Sequence, residues 1–248
     1  MTIRVRVVIP SIGRESLQQA IASAESQHGV ICNLIVIDDS LSQDIKVPPS
    51  VQLIRSGGLK GPGFCRNLGI LECWEEYVAF LDDDDVWFHD KCITQIKEMQ
   101  IRFLDATLHK SELNFKKIRP KLILPFDKNP LREIYSISNL LTRKYFLPFP
   151  SLIITREIAC TFEFNENFKE REDLELLMQI FSAGFRVEQL DLVLMNVASH
   201  PKSSITRVSF PEDKKWFLYL WKNAGAMASL VFLFGFIFRN RLFSRIFR

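Results

Sequence analysis

The chain has 248 residues, of which 47% are hydrophobic and 25% are charged, and its formal net charge at pH 7 is +3. A chain of this length can bury one substantial core, and its composition is close to the globular average, which argues against extensive disorder. The net charge is too small to indicate binding to nucleic acid, and we expect no such partner.

The cysteine content indicates a reducing compartment. The five cysteines are odd in number and no two are spaced as Cys-x-x-Cys, so neither a disulfide framework nor a zinc knuckle is expected. A strand-like stretch begins at Arg4, and it is too short to be the hydrophobic region of a secretory signal. We therefore expect the folded part of the chain to stay in the cytoplasm.

Strand-like and helix-like segments alternate along the first part of the chain. Short apolar or β-branched runs predict strands at residues 5–9, 34–37, 51–54 and 77–81. Helical patterns predict helices at residues 15–27, from the glycine-rich turn 57–63 to about residue 74, and at residues 90–103. This alternation predicts an α/β fold with a mostly parallel sheet that helices flank on both faces.

The second half of the chain gives fewer clear elements. Residues 104–121 are polar and are left unassigned. Residues 172–183 have a strong helical pattern, and Gly184 is placed to end that helix. Apolar runs predict later strands at residues 121–126, 152–155 and 185–197.

The tail, residues 206–248, differs in composition from the domain that we place at residues 1–205. Residues 216–238 contain one charge, Lys222, and the charge-free run at residues 224–238 is fifteen residues long. A spanning helix needs about 20 apolar residues. The last ten residues hold four arginines and no acid, so we predict a helical tail that binds a membrane surface. The alternatives are a helix buried in the core or in a dimer interface, and a single membrane span.

Four consecutive aspartates, residues 82–85, follow the predicted strand at residues 77–81. Neighbouring carboxylates repel one another and cost stability unless a cation or hydrogen-bond donors neutralise them. In an open α/β sheet, polar chemistry lies at the carboxyl ends of the strands, and ligands made only of oxygen favour Mg²⁺ or Mn²⁺. The run therefore predicts a divalent-cation site, with a solvated acidic loop as the alternative.

Other polar groups also fall at predicted strand ends. Residues 10–11 end the first strand and the aspartates at 38–39 end the second, where a capping turn is the alternative to a binding role. The glycine-rich turn 57–63 permits close approach of a ligand and precedes a helix N-terminus, which favours phosphate. Arg66 either adds charge to that site or pins neighbouring loops.

Four runs of residues together resemble glycosyltransferase family 2. They are Val-Ile-Pro-Ser at residues 8–11, Val-Ile-Asp-Asp-Ser at 36–40, Gly-Pro-Gly-Phe-Cys-Arg-Asn-Leu-Gly at 61–69 and Phe-Leu-Asp-Asp-Asp-Asp-Val-Trp at 80–87. Their shared order and spacing make the resemblance specific, and it covers roughly residues 3–200. It implies the Rossmann-like GT-A fold, a nucleoside-diphosphate sugar donor, inverting transfer, and Mn²⁺ or Mg²⁺ as cofactor.

The resemblance also implies roles for residues at the strand ends. It assigns the nucleotide sugar to Pro10, Ser11, Arg14, Asp39, Gly61, Arg66, Asp82 and Asp83. Asp39 matches the acid that accepts hydrogen bonds from the base, which suits a uracil N–H. The family's Asp-x-Asp pattern falls on Asp82 and Asp84, so Asp84 is expected to contact the metal and Asp82 the ribose or a metal-bound water. A shift by one residue would give these roles to Asp83 and Asp85.

Two later residues complete the site that the resemblance implies. Asp173 matches the base that takes the proton of the acceptor hydroxyl. Its alternative role is a first-turn acid that complements the helix dipole, for which Glu172 and Glu175 are equally suited. His200 matches a metal or diphosphate contact of some relatives, although a lone histidine is more often structural.

Together these features predict an inverting, metal-dependent glycosyltransferase. We expect it to move a sugar from a nucleoside-diphosphate sugar, with UDP as the expected nucleotide, to an acceptor. The expected acceptor is a saccharide or lipid-linked saccharide in bacterial-type surface polysaccharide assembly. We expect it at the inner face of the cell membrane, held there by its tail. The alternatives are a sugar nucleotidyltransferase, whose basic glycine-rich signature is missing at residues 10–14, and a non-catalytic scaffold. The presence of Asp39, Asp82, Asp84 and Asp173 argues against the scaffold.

Overall fold

A computed structural model describes residues 2–42, 44–71, 73–113, 148–168, 171–197, 216, 218 and 219. The predicted strand at residues 121–126, the residue His200 and most of the predicted tail lie outside these ranges. The chain divides into two compact units, Met1–Ile118 with Leu147–Pro201, and Arg119–Phe146 with Lys202–Arg248. The fold and the site described below belong to the first unit, and the predicted boundary at residue 205 stays a prediction.

Helices and strands alternate through the first part of the unit, as the sequence predicts. In chain order they are β1 Arg4–Ser11, α1 Leu17–Glu25, β2 Ile31–Asp38, β3 Gln52–Arg55, α2 Pro62–Ile70, β4 Tyr77–Phe80, β5 Val86–Trp87 and α3 Lys91–Arg102. The second part contains β6 Ala106–Leu113, a 3₁₀ helix Phe149–Ser151, β7 Ile153–Thr155, α4 Arg156–Thr161, α5 Glu172–Ser182 and β8 Val187–Val197. Among the described residues, no helix combines the length and apolar character needed to cross a membrane.

The described strands form one eight-stranded mixed sheet in the order β3-β2-β1-β4-β7-β6-β8-β5. The half containing β3, β2, β1 and β4 is parallel throughout. In the other half β7 and β5 run antiparallel to their neighbours, whereas β6 and β8 pair in parallel. The predicted α/β class is confirmed, and the antiparallel strands are confined to the half built from the later sequence.

The segment at residues 104–121, for which the sequence predicted no element, contains strand β6. Its side chains at Thr107 and His109 are fully buried although they are polar, so the alternation that marks a half-buried strand is missing from the sequence. Helix α2 ends at Ile70 rather than near residue 74, because Leu71 turns to an extended ψ of 135°. The short elements β5 and α4 carry too few residues to show a period.

Helix α2 lies close against β1, and Gly69 makes this approach possible. A Cβ atom at Gly69 would lie 2.3 Å from Cγ1 of Val8, a separation that no side chain tolerates. Val8 is fully buried on the face of β1 opposite Val7, which packs in the core cluster with helix α1. The contact holds the last turn of α2 against the middle of β1, so that the helix runs along this strand.

The opposite edge of the sheet carries a buried ion pair. Arg6 donates to Glu75 at 3.1 Å, and Glu75 is 1% exposed. The same carboxylate accepts hydrogen bonds from Asn33 at 2.9 Å, from the backbone N–H of Trp74 at 3.1 Å and from the thiol of Cys73 at 3.3 Å. Every oxygen of this buried acid therefore has a donor, as a structural ion pair requires.

Replacing Glu75 by glutamine should destabilise the protein in a pH-dependent way. Burial opposes ionisation, but hydrogen bonds from Asn33 and Cys73 and the charge of Arg6 hold the pKa of Glu75 below its ordinary value. A depressed folded-state pKa gives stability that is present above the unfolded pKa, about 4.3, and is lost as the pH falls through the folded pKa. At neutral pH, Glu75→Gln leaves Arg6 buried without its counter-charge, and we expect a loss of about 3–5 kcal/mol.

Urea unfolding at neutral pH and near pH 4 measures this difference. The difference in the free energy of unfolding between wild type and Glu75→Gln should be large at neutral pH and smaller near pH 4. The exposed Glu25, whose carboxylate accepts a hydrogen bond from the hydroxyl of Ser50, supplies the control Glu25→Gln, for which we expect little change in stability. An equal loss at both pH values would contradict the assignment.

Candidate active site

The four aspartates form a tight turn directly after β4. The backbone N–H of Asp85 donates to the carbonyl of Asp82 at 3.1 Å. One carboxylate oxygen each from Asp82, Asp84 and Asp85 lies within 4.8 Å of the others, and it is the one group of this kind in the described part of the chain. Three carboxylates offer only oxygen atoms, which is the ligand type that Mg²⁺ and Mn²⁺ prefer. The donor set therefore fits the cation that the sequence predicts.

Asp83 lies apart from this cluster and ties the turn to the end of β1. Its carboxylate is 1% exposed, accepts a hydrogen bond from the hydroxyl of Ser11 at 2.7 Å and another from the N–H of Ile12 at 3.3 Å. It also forms an ion pair with the half-exposed Arg14, which lies 3.7 Å from Asp84. The predicted residues Ser11, Arg14 and Asp83 are therefore brought together, and they bond to one another.

Trp87 fixes the other end of the turn. Its indole N–H donates to the carbonyl of Pro150 at 3.1 Å and its backbone N–H to the hydroxyl of Ser23 at 3.2 Å. The ammonium of Lys91 lies 3.9 Å from the centre of the indole ring. Lys91 is fully buried at the start of α3, and burial lowers its pKa to about 8.

Lys91 was not predicted from the sequence. Its ammonium has no hydrogen-bond partner among the described residues, so its contact with the face of Trp87 is its principal stabilisation as a cation. A lysine in the first turn of a helix also opposes the helix dipole. That unfavourable position was the one signal in the sequence that could have marked it.

Asp39 holds the glycine-rich turn in place. One carboxylate oxygen accepts from the hydroxyl of Ser56 at 2.5 Å and from the N–H of Lys60 at 2.8 Å, and the other accepts from the N–H of Gly61 at 2.9 Å. Its neighbour Asp38 instead caps its own loop by accepting from the N–H of Ser40 at 2.9 Å. The capping alternative thus describes Asp38, whereas Asp39 shapes the loop that leads into α2.

Gly61 forms the junction between that loop and helix α2. It has a φ of 96°, in the region that favours glycine, and Pro62 follows as the first helical residue. Pro10, near the end of β1, pairs in register with Ile37 of the neighbouring strand β2. The carboxyl ends of β1 and β2 and the first turn of α2 therefore border one region, which lies beside the aspartate turn.

Arg66 joins the aspartate turn to the start of α5. Its guanidinium donates to Glu172 at 2.7 Å and to Asp82 at 3.0 Å, and the residue is 4% exposed. The rings of Phe149 and Phe164 lie 4.5 and 5.5 Å from the guanidinium carbon. Of the two roles open from the sequence, these contacts describe a residue that pins two loops.

The acidic pair Glu172 and Asp173 begins helix α5. Burial, followed by the charge of Asp173, raises the pKa of Glu172 to about 7, although Arg66 acts in the opposite direction. Burial also raises the pKa of Asp173, against the opposing effects of Arg66 and of the N–H of Leu174, which donates at 2.7 Å. A carboxylate with a raised pKa is a better proton acceptor near neutral pH.

Glu172 and Asp173 differ in what already engages them. Glu172 is taken up by the ion pair with Arg66, whereas Asp173 bonds to the N–H of the next residue. The preceding residue, Arg171, has a φ of 73°, a left-handed conformation that is costly for a residue with a Cβ atom. The helix start is therefore held in one defined conformation, in which Arg66 engages Glu172 and a backbone N–H engages Asp173.

Comparison with known proteins confirms the predicted GT-A fold. The chain is 26% identical over 212 residues to the amylovoran biosynthesis glycosyltransferase AmsB of Erwinia amylovora, which covers 77% of this chain and 68% of that protein. The structure of S. aureus TarS 1–349 with UDP matches with a TM-score of 0.63 at 19% identity, over 80% of this chain and 61% of that one. Mannosyltransferase PcManGT from Pyrobaculum calidifontis, with GDP-Man and Mn²⁺, matches with a TM-score of 0.60 at 12% identity, over 96% and 81%. At these identities the two structures show the fold alone.

A match to a family model gives the family assignment. The chain spans 15% of the length of one curated relative and 61% of the TarS chain, so their whole activities are not carried over. Residues 6–148 match the family described as Glycosyl transferase family 2, and this range is more than half of the chain. The chain therefore belongs to glycosyltransferase family 2.

Proposed function

We propose that this protein is an inverting, metal-dependent glycosyltransferase that uses a nucleoside-diphosphate sugar. The observation that carries the proposal is the cluster of Asp82, Asp84 and Asp85, linked through one buried arginine to an acidic pair with raised pKa values. A cation site beside a proton acceptor is the combination that sugar transfer from a diphosphate requires.

The residues of the chain divide the chemistry between them. Asp82, Asp84 and Asp85 would hold Mn²⁺ or Mg²⁺, which would neutralise the charge that develops on the leaving nucleoside diphosphate. Asp173 accepts the proton of the acceptor hydroxyl as that oxygen attacks the anomeric carbon. The bond between this carbon and the diphosphate oxygen breaks on the opposite face, so the anomeric configuration is inverted.

The nucleoside is proposed to lie over the ends of β1 and β2. Asp39 accepts hydrogen bonds from Ser56, Lys60 and Gly61, and its carboxylate also interacts with the thiol of Cys65. A base N–H would therefore bond to Asp39 in place of one of these donors, and a carboxylate is suited to accept from the N–H of uracil. Pro10, Gly61 and the N-terminus of α2 border the same region, where backbone amides favour a diphosphate. A structure of TarS with UDP supports a uridine donor in this fold.

The acceptor is proposed to be a saccharide or a lipid-linked saccharide. The relative AmsB is named for amylovoran biosynthesis, which supports an acceptor of the polysaccharide type. The composition of residues 216–248 supports a location at the cytoplasmic face of the cell membrane, with the tail as a peripheral anchor. His200 remains a proposed metal or diphosphate contact that lies outside the described residues.

Product analysis tests the function itself. The protein is incubated with Mn²⁺, a panel of nucleotide sugars and a saccharide acceptor, and the released nucleotide is identified. We expect nucleoside diphosphate and a product of inverted anomeric configuration. Release of pyrophosphate would favour a nucleotidyltransferase, and the absence of donor binding, measured by thermal shift, would favour a scaffold.

Two variants of the turn test which aspartates hold the cation. Asp84→Asn should weaken Mn²⁺ binding by at least about tenfold, because it removes one charge and one ligand oxygen from the cluster. Asp83→Asn should leave Mn²⁺ affinity within about threefold but lower the melting temperature, because Asp83 is buried and bonded to Ser11 and Arg14. Calorimetric titration with Mn²⁺ and thermal unfolding measure both effects. Loss of Mn²⁺ binding in Asp83→Asn with unchanged stability would reverse the assignment.

Replacing Asp173 by asparagine tests the proton acceptor. We expect kcat to fall by about 10²–10⁴-fold, with a much smaller change in KM. Since the pKa of Asp173 is raised, wild-type kcat/KM should decline as the pH falls through that raised value, where the base becomes protonated. This acid limb should be missing from Asp173→Asn. Glu175→Gln, on the same first turn, is the matched control and should keep both its rate and its pH profile.

Substitution of the arginines of the tail tests membrane binding while the chain keeps its full length. Replacing Arg239, Arg241, Arg245 and Arg248 by glutamine should weaken binding to anionic vesicles, by about 1 kcal/mol for each charge near the surface. Co-sedimentation at low and high salt measures the effect, and the wild-type binding should itself weaken with salt. The exposed Lys97 supplies the control Lys97→Gln. Unchanged sedimentation of the variant with all four substitutions would contradict the proposed membrane anchor.

A further inference from the structure

We propose that Arg66 is a positioning residue that couples the cation site to the proton-accepting pair, because one buried guanidinium is shared between Asp82 and Glu172. The inference rests on the proposed function and deepens it. It concerns how the two halves of the site act on one another, and it gives Arg66 a task that contact with donor phosphate would not.

The guanidinium lies where it can transmit a change of charge. It donates to Asp82 at 3.0 Å with one terminal nitrogen and to Glu172 at 2.7 Å with the other. Arg66 is 4% exposed, so water screens its contact with the buried Glu172 only weakly. The rings of Phe149 and Phe164, which also contact each other, pack against the guanidinium and help to hold it in place.

The two carboxylates differ in how much they depend on Arg66. The side chain of Glu172 is 7% exposed, whereas that of Asp82 is 37% exposed. An unpaired buried carboxylate is costly, so Glu172 needs the guanidinium as its counter-charge. Asp82 faces solvent beside Asp84 and Asp85 and can accept a divalent cation in its place.

This asymmetry sets the direction of the coupling. When Glu172 carries its negative charge, it draws the guanidinium towards α5 and reduces the positive charge acting on the aspartate cluster. When Glu172 is neutral, the full charge of Arg66 acts on Asp82 and opposes an incoming cation. By reciprocity, a cation held at the cluster strengthens the hold of Arg66 on Glu172, which sets the electrostatic environment of Asp173.

Direct contact of Arg66 with the donor phosphates is the competing explanation. A residue that binds phosphate must present N–H groups to the ligand, whereas each terminal nitrogen of Arg66 already donates one of its two N–H groups to a carboxylate. The remaining Nε has no partner among the described residues, but it is buried as well. A phosphate contact would affect donor affinity and would leave the affinity for Mn²⁺ alone unchanged.

A double-mutant cycle with Mn²⁺ alone tests the coupling. Calorimetric titration compares wild type, Glu172→Gln, Arg66→Met and the double variant at about pH 8, with no donor present. Glu172→Gln should weaken Mn²⁺ binding by about fivefold or more in the wild-type background, although Glu172 is not in the cluster. In the Arg66→Met background the same substitution should change the affinity by less than about twofold.

Glu175→Gln is the matched control, since it neutralises an acid three residues further along the same helix whose carboxylate accepts a hydrogen bond from Gln179 at 2.7 Å. It should leave Mn²⁺ affinity unchanged in both backgrounds. If Arg66→Met fails to fold by circular dichroism, Arg66→Lys replaces it. A lysine carries the charge on a flexible stem without the fork that holds two carboxylates, so the effect of Glu172→Gln should again be smaller than in wild type.

The outcomes separate this inference from the function on which it rests. A wild-type protein that binds Mn²⁺ and releases nucleoside diphosphate, while Glu172→Gln leaves Mn²⁺ affinity unchanged, overturns the coupling alone. An equal effect of Glu172→Gln in both Arg66 backgrounds also overturns it, because the influence would then act through space. A wild-type protein that neither binds Mn²⁺ nor releases nucleoside diphosphate removes both proposals.

Discussion

The buried hydrogen bonds of Asp83 are the constraint on which the candidate site depends. Four adjacent aspartates have no reason of their own to divide into two groups. Ser11 and the N–H of Ile12 draw the carboxylate of Asp83 inward against the end of β1. The remaining three carboxylates are thereby left on the other side of the turn, within 4.8 Å of one another. A structural bond to the first strand thus produces the acidic cluster as its consequence.

Buried charged groups are paired differently at the two edges of the sheet. At the amino edge, Arg6 and Glu75 are surrounded by donors that satisfy the carboxylate completely, and nothing there is left for a ligand. At the carboxyl edge, Arg66 is divided between two acids and Lys91 has only the face of an indole ring as its partner among the described residues. Departures from full pairing are expected where binding or catalysis needs them, and the divided Arg66, which contacts the aspartate turn, is one such departure.

The sequence alone predicted the elements that have a clear hydrophobic period or a characteristic position in the chain. The strands up to β4 and the acids at their ends were predicted because apolar runs and strand-end chemistry are local properties. Strand β6 was missed because Thr107 and His109 are polar and buried, so their partners decide their environment. The register of the aspartates was equally hidden, since identical residues differ only in what they contact. The double contact of Arg66 joins residues 16 and 106 positions away, and no local pattern reports such pairings.

The position of Asp173 at a helix N-terminus gives its pKa two opposing causes. Burial raises the pKa, whereas the N–H of Leu174 and the charge of Arg66 lower it, and burial prevails. A proton acceptor of this kind must be ionised before reaction and must still bind a proton during it, which requires a pKa between that of an exposed aspartate and neutrality. Glu172 supports this balance by keeping Arg66 at the helix start. The ion pair between Arg66 and Glu172 therefore also holds a positive charge where it lowers the pKa of the proposed base, Asp173.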